Sequence, residues 1–181
     1  MSGLARVRER AKKDPTKYFT ALMHHITPGL LKESFQNLSR RSAPGIDGAT
    51  WKAYGDSLED RLEDLYKRLH GGGYIPRPAR RVYIPKEDGT ERPLSILCIE
   101  DKIVQQALVT VLNQIYETAF LGFSYGFRPG RGQHNALDAL AYGITKCKVN
   151  WVLDLDVQKF FDTVDHAWLL KMIQHRVKDR K

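Results

Sequence analysis

The stretch Trp151-Val-Leu-Asp-Leu-Asp-Val157 restricts what this chain can fold into more than any other. Alternation with a period of two puts Val152, Asp154 and Asp156 on one face of a strand, with Leu153, Leu155 and Val157 on the other. Aspartate is depleted in strands, and two carboxylates on one apolar strand repel each other and lose hydration. The pattern predicts a buried strand over residues 151–157 whose acidic face meets a compensating cation, either Lys/Arg or a divalent metal. The plainer alternative is a strand end at which Asp154 meets a surface lysine. Asp162 and Asp165, just beyond, suit turn and helix-capping roles better than ligation.

Charge narrows the partner. The chain has 181 residues, with 29 Lys+Arg against 21 Asp+Glu and a formal net charge of +8. A pI near 9.5 points to a polyanion, most simply nucleic acid. Hydrophobic residues at 42% allow a real core and exclude disorder as the main state. No apolar run is long enough to span a membrane, and charges fill the start of the chain where a signal peptide needs its apolar stretch. Cys98 and Cys147 form neither a metal-binding spacing nor a disulfide framework, so the expected setting is reduced and cytoplasmic.

Along the chain, residues 4–40 read as two or three short helices, with Pro15 breaking the first and Pro28 opening another. Thr50 is placed to cap a helix running to His70, with Leu58, Leu62, Leu65 and Leu69 on one stripe and Gly71-Gly-Gly73 ending it. Two β-rich runs, Arg81–Pro85 and Glu91–Leu97, flank Asp88-Gly89 and predict a hairpin. Residues 100–117 read as a helix, since Ile103, Val104, Ala107, Leu108, Val111, Leu112 and Ile115 recur at helical spacing. A Gly- and aromatic-rich loop over 120–132, a helix over 133–146 and a last helix capped by Asp165 and running to the end of the chain complete the reading. The fold class is α+β, with an N-terminal helical extension over 1–41 and further units over 42–132 and 133–181.

Some residues in this pattern carry chemistry. Lys86 and Arg92 sit on opposite arms of the hairpin, where both tips can converge on a triphosphate, with Arg gripping it bidentately. Taken alone, they also read as ordinary surface charges. Arg128 and Arg131 flank Pro129-Gly130 beside aromatic residues, as suits a loop that approaches a sugar-phosphate strand; a glycine-rich turn with solvated arginines is the plainer alternative. The basic residues of the first segment and of the tail (Lys171, Arg176, Lys178, Arg180, Lys181) read either as solvated helix faces or as phosphate contacts.

Leu155-Asp-Val-Gln-Lys-Phe-Phe-Asp162 resembles the first catalytic motif of reverse transcriptases, most closely those encoded by bacterial group II introns. Ala43-Pro-Gly-Ile-Asp-Gly48 resembles that family's N-terminal extension motif, and Arg80–Leu94 its fingers hairpin. Ile99–Leu108 is similar to the helix that follows, and Phe123-Ser-Tyr-Gly-Phe-Arg-Pro-Gly-Arg-Gly-Gln-His-Asn-Ala-Leu137 to its most recognisable signature. The resemblance implies a fingers subdomain and the first part of a right-hand palm. It implies that Asp156 binds both Mg²⁺ ions of a two-metal nucleotidyl transfer, with Val157 offering its backbone carbonyl to the nucleotide-side ion. It also implies that Phe161 acts as a sugar gate favouring dNTPs, that Lys86 and Arg92 hold the incoming dNTP, and that Arg128 and Arg131 contact the template and the nucleotide pocket. Phe160 is expected to pack in the core, and His134 is assigned no chemistry. Implied partners are an RNA template or intron RNA, a DNA or RNA primer and dNTPs.

The family's second catalytic motif, Tyr-x-Asp-Asp, occurs nowhere in these 181 residues. The expectation is therefore a fingers and partial-palm piece, truncated before that motif, which does not polymerise DNA by itself. A non-catalytic RNA-binding module from a truncated reading frame is the competing reading. An inert remnant that self-associates through a bare palm edge is a third. Retron-type and CRISPR-associated relatives share the Asp156 motif; the Ala43–Gly48 and Phe123–Leu137 stretches favour the group II side.

Overall fold

A computed structural model describes residues 2–87 and 89–180. The chain runs α1 (Gly3–Lys13), a 3-10 turn (Met23–His25), α2 (Pro28–Asn37), α3 (Trp51–Gly55), α4 (Leu58–Gly71), β1 (Arg80–Pro85), β2 (Glu91–Ile96), α5 (Ile99–Tyr116), α6 (Gln133–Lys146), α7 (Phe160–Thr163) and α8 (His166–Gln174). Helices and one antiparallel two-stranded sheet agree with the α+β expectation.

Polar side chains start four of these helices. Ser2, Thr27, Thr50 and Asp165 each accept the backbone N–H three residues on, satisfying a donor that the first turn leaves open. Pro28 occupies the first turn of α2, and Gly72, at φ +77°, closes α4 in the left-handed conformation that suits glycine.

Helix α5 is the axis of the core. Ile99, Ile103, Ala107, Val111 and Ile115 recur every four residues and are buried along one stripe. Val7 and Ala11 of α1, Leu30, Leu31 and Phe35 of α2, and Leu62 and Leu65 of α4 close over it. Trp51 stacks on Phe35 at 4.6 Å between ring centroids and donates its indole N–H to the Phe35 carbonyl.

The hairpin stands away from this core. Its register pairs Arg80 with Ile96 and Ile84 with Arg92, and along both strands only Val82 and Ile96 are even half-buried. Gly89 has φ +77°, while Asp88, the other turn residue of the hairpin signal, lies outside the described residues.

The structure corrects several expectations. The helix capped by Thr50 is split at Asp56-Ser57, since Gly, Asp and Ser are weak helix formers and the break lets Tyr54 be buried alongside the leucine stripe of α4. The last helix stops at Gln174. Beyond it the chain pairs with an early segment: Phe19 N–H donates to the Arg176 carbonyl at 2.8 Å, and Lys178 N–H to the Phe19 carbonyl at 2.7 Å. Asp179 then accepts the Leu22 and Met23 N–H groups. Arg176 is therefore buried rather than on a solvated face, with its Nε donating to the Lys17 carbonyl.

The predicted strand over 151–157 forms no ladder among the described residues, and it is exposed rather than buried, with Trp151 at 91% and Leu155 at 81%. A strand exists only against a partner, and the sole strands described here pair with each other. Phe160, expected in the core, is half exposed and sits edge-on to Phe161.

Candidate nucleotide and nucleic-acid site

The hairpin brings its two predicted cations together. Lys86 follows the end of β1 and Arg92 lies opposite Ile84 on β2, so both face one open hollow shared with Ile84, Pro85 and Glu87. The turn is closed by Lys86 N–H donating to the Thr90 carbonyl at 2.7 Å. Both cations are solvent-exposed, and neither forms an ion pair among the described residues. An ammonium and a planar guanidinium beside one concavity can engage a polyphosphate, while Glu87 on the same rim disfavours a bare anion lacking counter-cations.

Asp156, Val157 and Phe161 lie together on the exposed stretch between α6 and α8. Lys159, at φ +50°, turns the chain into α7, and Phe161 is 82% exposed. Asp154 and Asp156 are both in solvent, and among the described residues no three His, Cys, Asp or Glu side chains converge as metal ligands. These residues do not by themselves fit the two-ion site that the resemblance implies. No hydrogen bond or ion pair among the described residues joins this stretch to the hairpin.

Arg128 departs from its expected role. It is 8% exposed, and its guanidinium grips Glu117, with Nη2 2.7 Å from Oε1 and Nε 3.2 Å from each carboxylate oxygen. Its Nη1 donates to the carbonyls of Leu121 at 2.9 Å and Ser124 at 2.7 Å, and the group lies 4.9 Å from the Phe120 ring centroid. The hydrogen bonds from Arg128, assisted by its charge, hold the Glu117 carboxyl below the usual carboxylate range. A guanidinium with its donors turned inward fixes the shape of its own loop and leaves little to offer a phosphate.

Arg131 is the more accessible of the pair. It donates to the Gly122 and Ser124 carbonyls and lies 5.4 Å from the Tyr125 ring centroid. The staple leaves Phe127 fully exposed at φ +55°, a left-handed conformation that a bulky residue adopts at a cost of about 1 kcal/mol. Sequence reasoning missed Glu117; its signal was an acid at the C-terminal end of an apolar helix, where the helix dipole disfavours it unless a cation meets it.

Comparison with known proteins gives the family. A family model described as reverse transcriptase (RNA-dependent DNA polymerase) matches residues 84–181, which is more than half of the chain and includes Lys86, Arg92, Arg128, Arg131, Asp156 and Phe161. Protein YkfC of Escherichia coli is 38% identical over 178 residues, covering 94% of this chain and 47% of that protein. The group II intron-encoded protein LtrA of Lactococcus lactis subsp. cremoris is 30% identical over 183 residues, covering 100% of this chain and 30% of that protein. Nuclear intron maturase 1 of Arabidopsis thaliana is 32% identical over 82 residues, covering 45% of this chain and 11% of that protein. The chain thus spans less than half the length of these relatives.

Proposed function

We propose, since this chain belongs to the group II intron reverse transcriptase/maturase family, that it supplies the fingers and the first catalytic strand of an RNA-directed DNA polymerase. The observation that carries the reading is the placement of Lys86 and Arg92 on one hollow at the end of an exposed hairpin, suited to the triphosphate of an incoming dNTP. Reverse transcriptases generally use Mg²⁺, and Asp156 is the carboxylate this stretch contributes toward it. Phe161, five residues on, is the ring that discriminates against a ribose 2′-hydroxyl, and Arg131 is the loop cation available to the template strand.

Calorimetric titration with a dNTP tests the nucleotide site. Lys86→Ala and Arg92→Ala are each expected to weaken binding at least threefold, and Arg81→Ala, on the same hairpin, to leave it unchanged. Equal affinity in all of these variants refutes the assignment. Primer extension on an RNA template tests the catalytic limit: with no Tyr-x-Asp-Asp in these 181 residues, no extension is expected, and any extension refutes that limit.

One observation favours the RNA-binding reading as a second function. Arg6, Arg10 and Lys13 recur at helical spacing along α1 and, with Lys17, are exposed and free of ion pairs among the described residues. RNA binding through this stripe predicts a steep salt dependence that flattens when the three helix residues become Ala and is untouched by Asp156→Asn.

A further inference from the structure

The first turn of α5 is a junction on which the whole hairpin is mounted. Successive helical side chains point about 100° apart, so Glu100, Asp101 and Lys102 reach three different segments. Glu100 accepts from Arg68 Nη2 at 3.0 Å and from the Tyr54 hydroxyl at 3.4 Å, tying α5 to α4 and α3. Asp101, 4% exposed, accepts the Tyr74 hydroxyl and the Arg77 backbone N–H at 3.3 Å, and so holds the strap that leads into β1. Lys102 donates to the Ser42 hydroxyl at 2.6 Å and the Ala43 carbonyl at 2.9 Å.

That last contact draws the loop over 42–48 against the base of the hairpin. Arg80, the first residue of β1, donates to the Pro44 carbonyl at 2.9 Å, and Arg77 lies 3.8 Å from Asp47. Gly45 is buried so closely that a Cβ on it would come within 2.6 Å of the Cys98 backbone, where β2 has just become α5. Both roots of the hairpin are thus pinned at the start of α5, one root by covalent continuity through Cys98 and the other through Asp101 and the loop that Lys102 holds.

We infer that Asp101 and Lys102 are positioning residues for the Lys86–Arg92 site, which they never touch. The inference rests on the nucleotide reading above for its functional consequence, and on the hydrogen bonds alone for its mechanics. The hairpin arm from Arg80 to Lys86 is about 20 Å long, so a tilt of about 10° at its root moves the tip by about 3.5 Å. Displacements of even 1 Å are enough to spoil an aligned phosphate grip. Among the described residues the strands are exposed apart from the half-buried Val82 and Ile96, so it is the contacts of this junction that oppose such a tilt.

The test reads the pose directly. Spin labels at Glu87→Cys on the tip and Glu63→Cys on α4, in a Cys147→Ser background, report the spread of tip-to-body distances by pulsed EPR. Lys102→Met and Asp101→Asn are expected to broaden the distribution by several ångströms. Lys102→Arg, which still donates to Ser42 and Ala43, is expected to restore most of it. Thr27→Ala, which loses a cap on α2 remote from the hairpin, controls for general destabilisation and is expected to leave the width unchanged. Widths in Lys102→Met and Asp101→Asn that match the Thr27→Ala width overturn the inference. In parallel, inorganic tripolyphosphate with magnesium as its counter-cation is titrated against the hairpin amides by NMR, with a severalfold loss of affinity expected in both junction variants. Tripolyphosphate that shifts no amide in the parent chain overturns the nucleotide reading, and the EPR widths then still decide the junction's mechanical role.

Discussion

Replacing Arg128 with alanine separates a structural staple from a template contact. The substitution leaves Glu117, whose side chain is 13% exposed, without its cation, and takes one of the two donors from each of the Leu121 and Ser124 carbonyls. Removing one partner of a buried ion pair costs roughly 3–5 kcal/mol. Glu117 keeps some access to water and the carbonyls rehydrate once the loop moves, so the lower end, about 3 kcal/mol, is expected. The loss is local, because the loop leads into α6, which buries no residue, while the core is built on α5. Amide exchange resolves this. The Ser124 and Arg131 amides, bonded to the Leu121 and Arg128 carbonyls, should exchange on the order of 100-fold faster, since 1.4 kcal/mol is a factor of ten. The Ala107 and Val111 amides in α5 should change little. Arg128→Lys supplies a point charge in place of a fork and should recover less than half of the protection. Arg131→Ala, at a more accessible residue, should cost no more than about 1 kcal/mol. Unchanged exchange in Arg128→Ala, together with weaker RNA binding, would refute the staple and restore Arg128 as a strand contact.

Other outcomes follow from single contacts. Gly45→Ala forces a Cβ to within 2.6 Å of the Cys98 backbone and should cost about 1–3 kcal/mol in urea denaturation, whereas Gly71→Ala, at a site with open space, should not. Glu117 has its folded-state carboxyl held below the ordinary value by Arg128, so its contribution is present above the unfolded carboxylate range and is lost as pH falls through the folded value. Loop order over 120–131, followed by amide shifts, should therefore fail in acid, below the ordinary carboxylate range, and Glu117→Gln should abolish that acid dependence. Arg176 is 6% exposed, and its Nη2 finds no acceptor among the described residues. Arg176→Met, which keeps the stem and removes the charge, should be neutral or stabilising by thermal melting, against a loss for Arg176→Ala.

What the sequence disclosed divides by range. The α5 stripe, the caps at Thr50 and Asp165, the Gly72 stop and the hairpin are all specified within a few residues, and all are found. The misses depend on distant partners. Helix α8 stops where it does because Phe19, more than a hundred residues earlier, captures Arg176 and Lys178. Arg128 reads as a free cation until Glu117 is folded beside it, and Asp101 reads as an ordinary first-turn acid until Tyr74 and Arg77 arrive. Side-chain type announces chemistry, but it does not announce which way the group will point.

The same division runs through the candidate site. Its nucleotide half, Lys86 and Arg92, rests on an antiparallel hairpin closed by a short turn and mounted on the first turn of the next helix, so its geometry is complete within residues 42–102. Its carboxylate half rests on a strand pattern whose ladder needs a non-local partner, and the entropy of bringing such a partner in must be met before any ladder bond forms. Asp154 and Asp156 accordingly stay hydrated, and Leu153 and Leu155 stay bare, at 80% and 81% exposure. Two aspartates on one face are tolerable in water and costly in a sheet, so the residues that make this stretch suited to metal chemistry are also those that oppose its becoming a strand unaided. On the proposed metal role of Asp156, pairing and cation binding would be coupled: a neighbouring strand would also create the burial that makes a cation there worth holding.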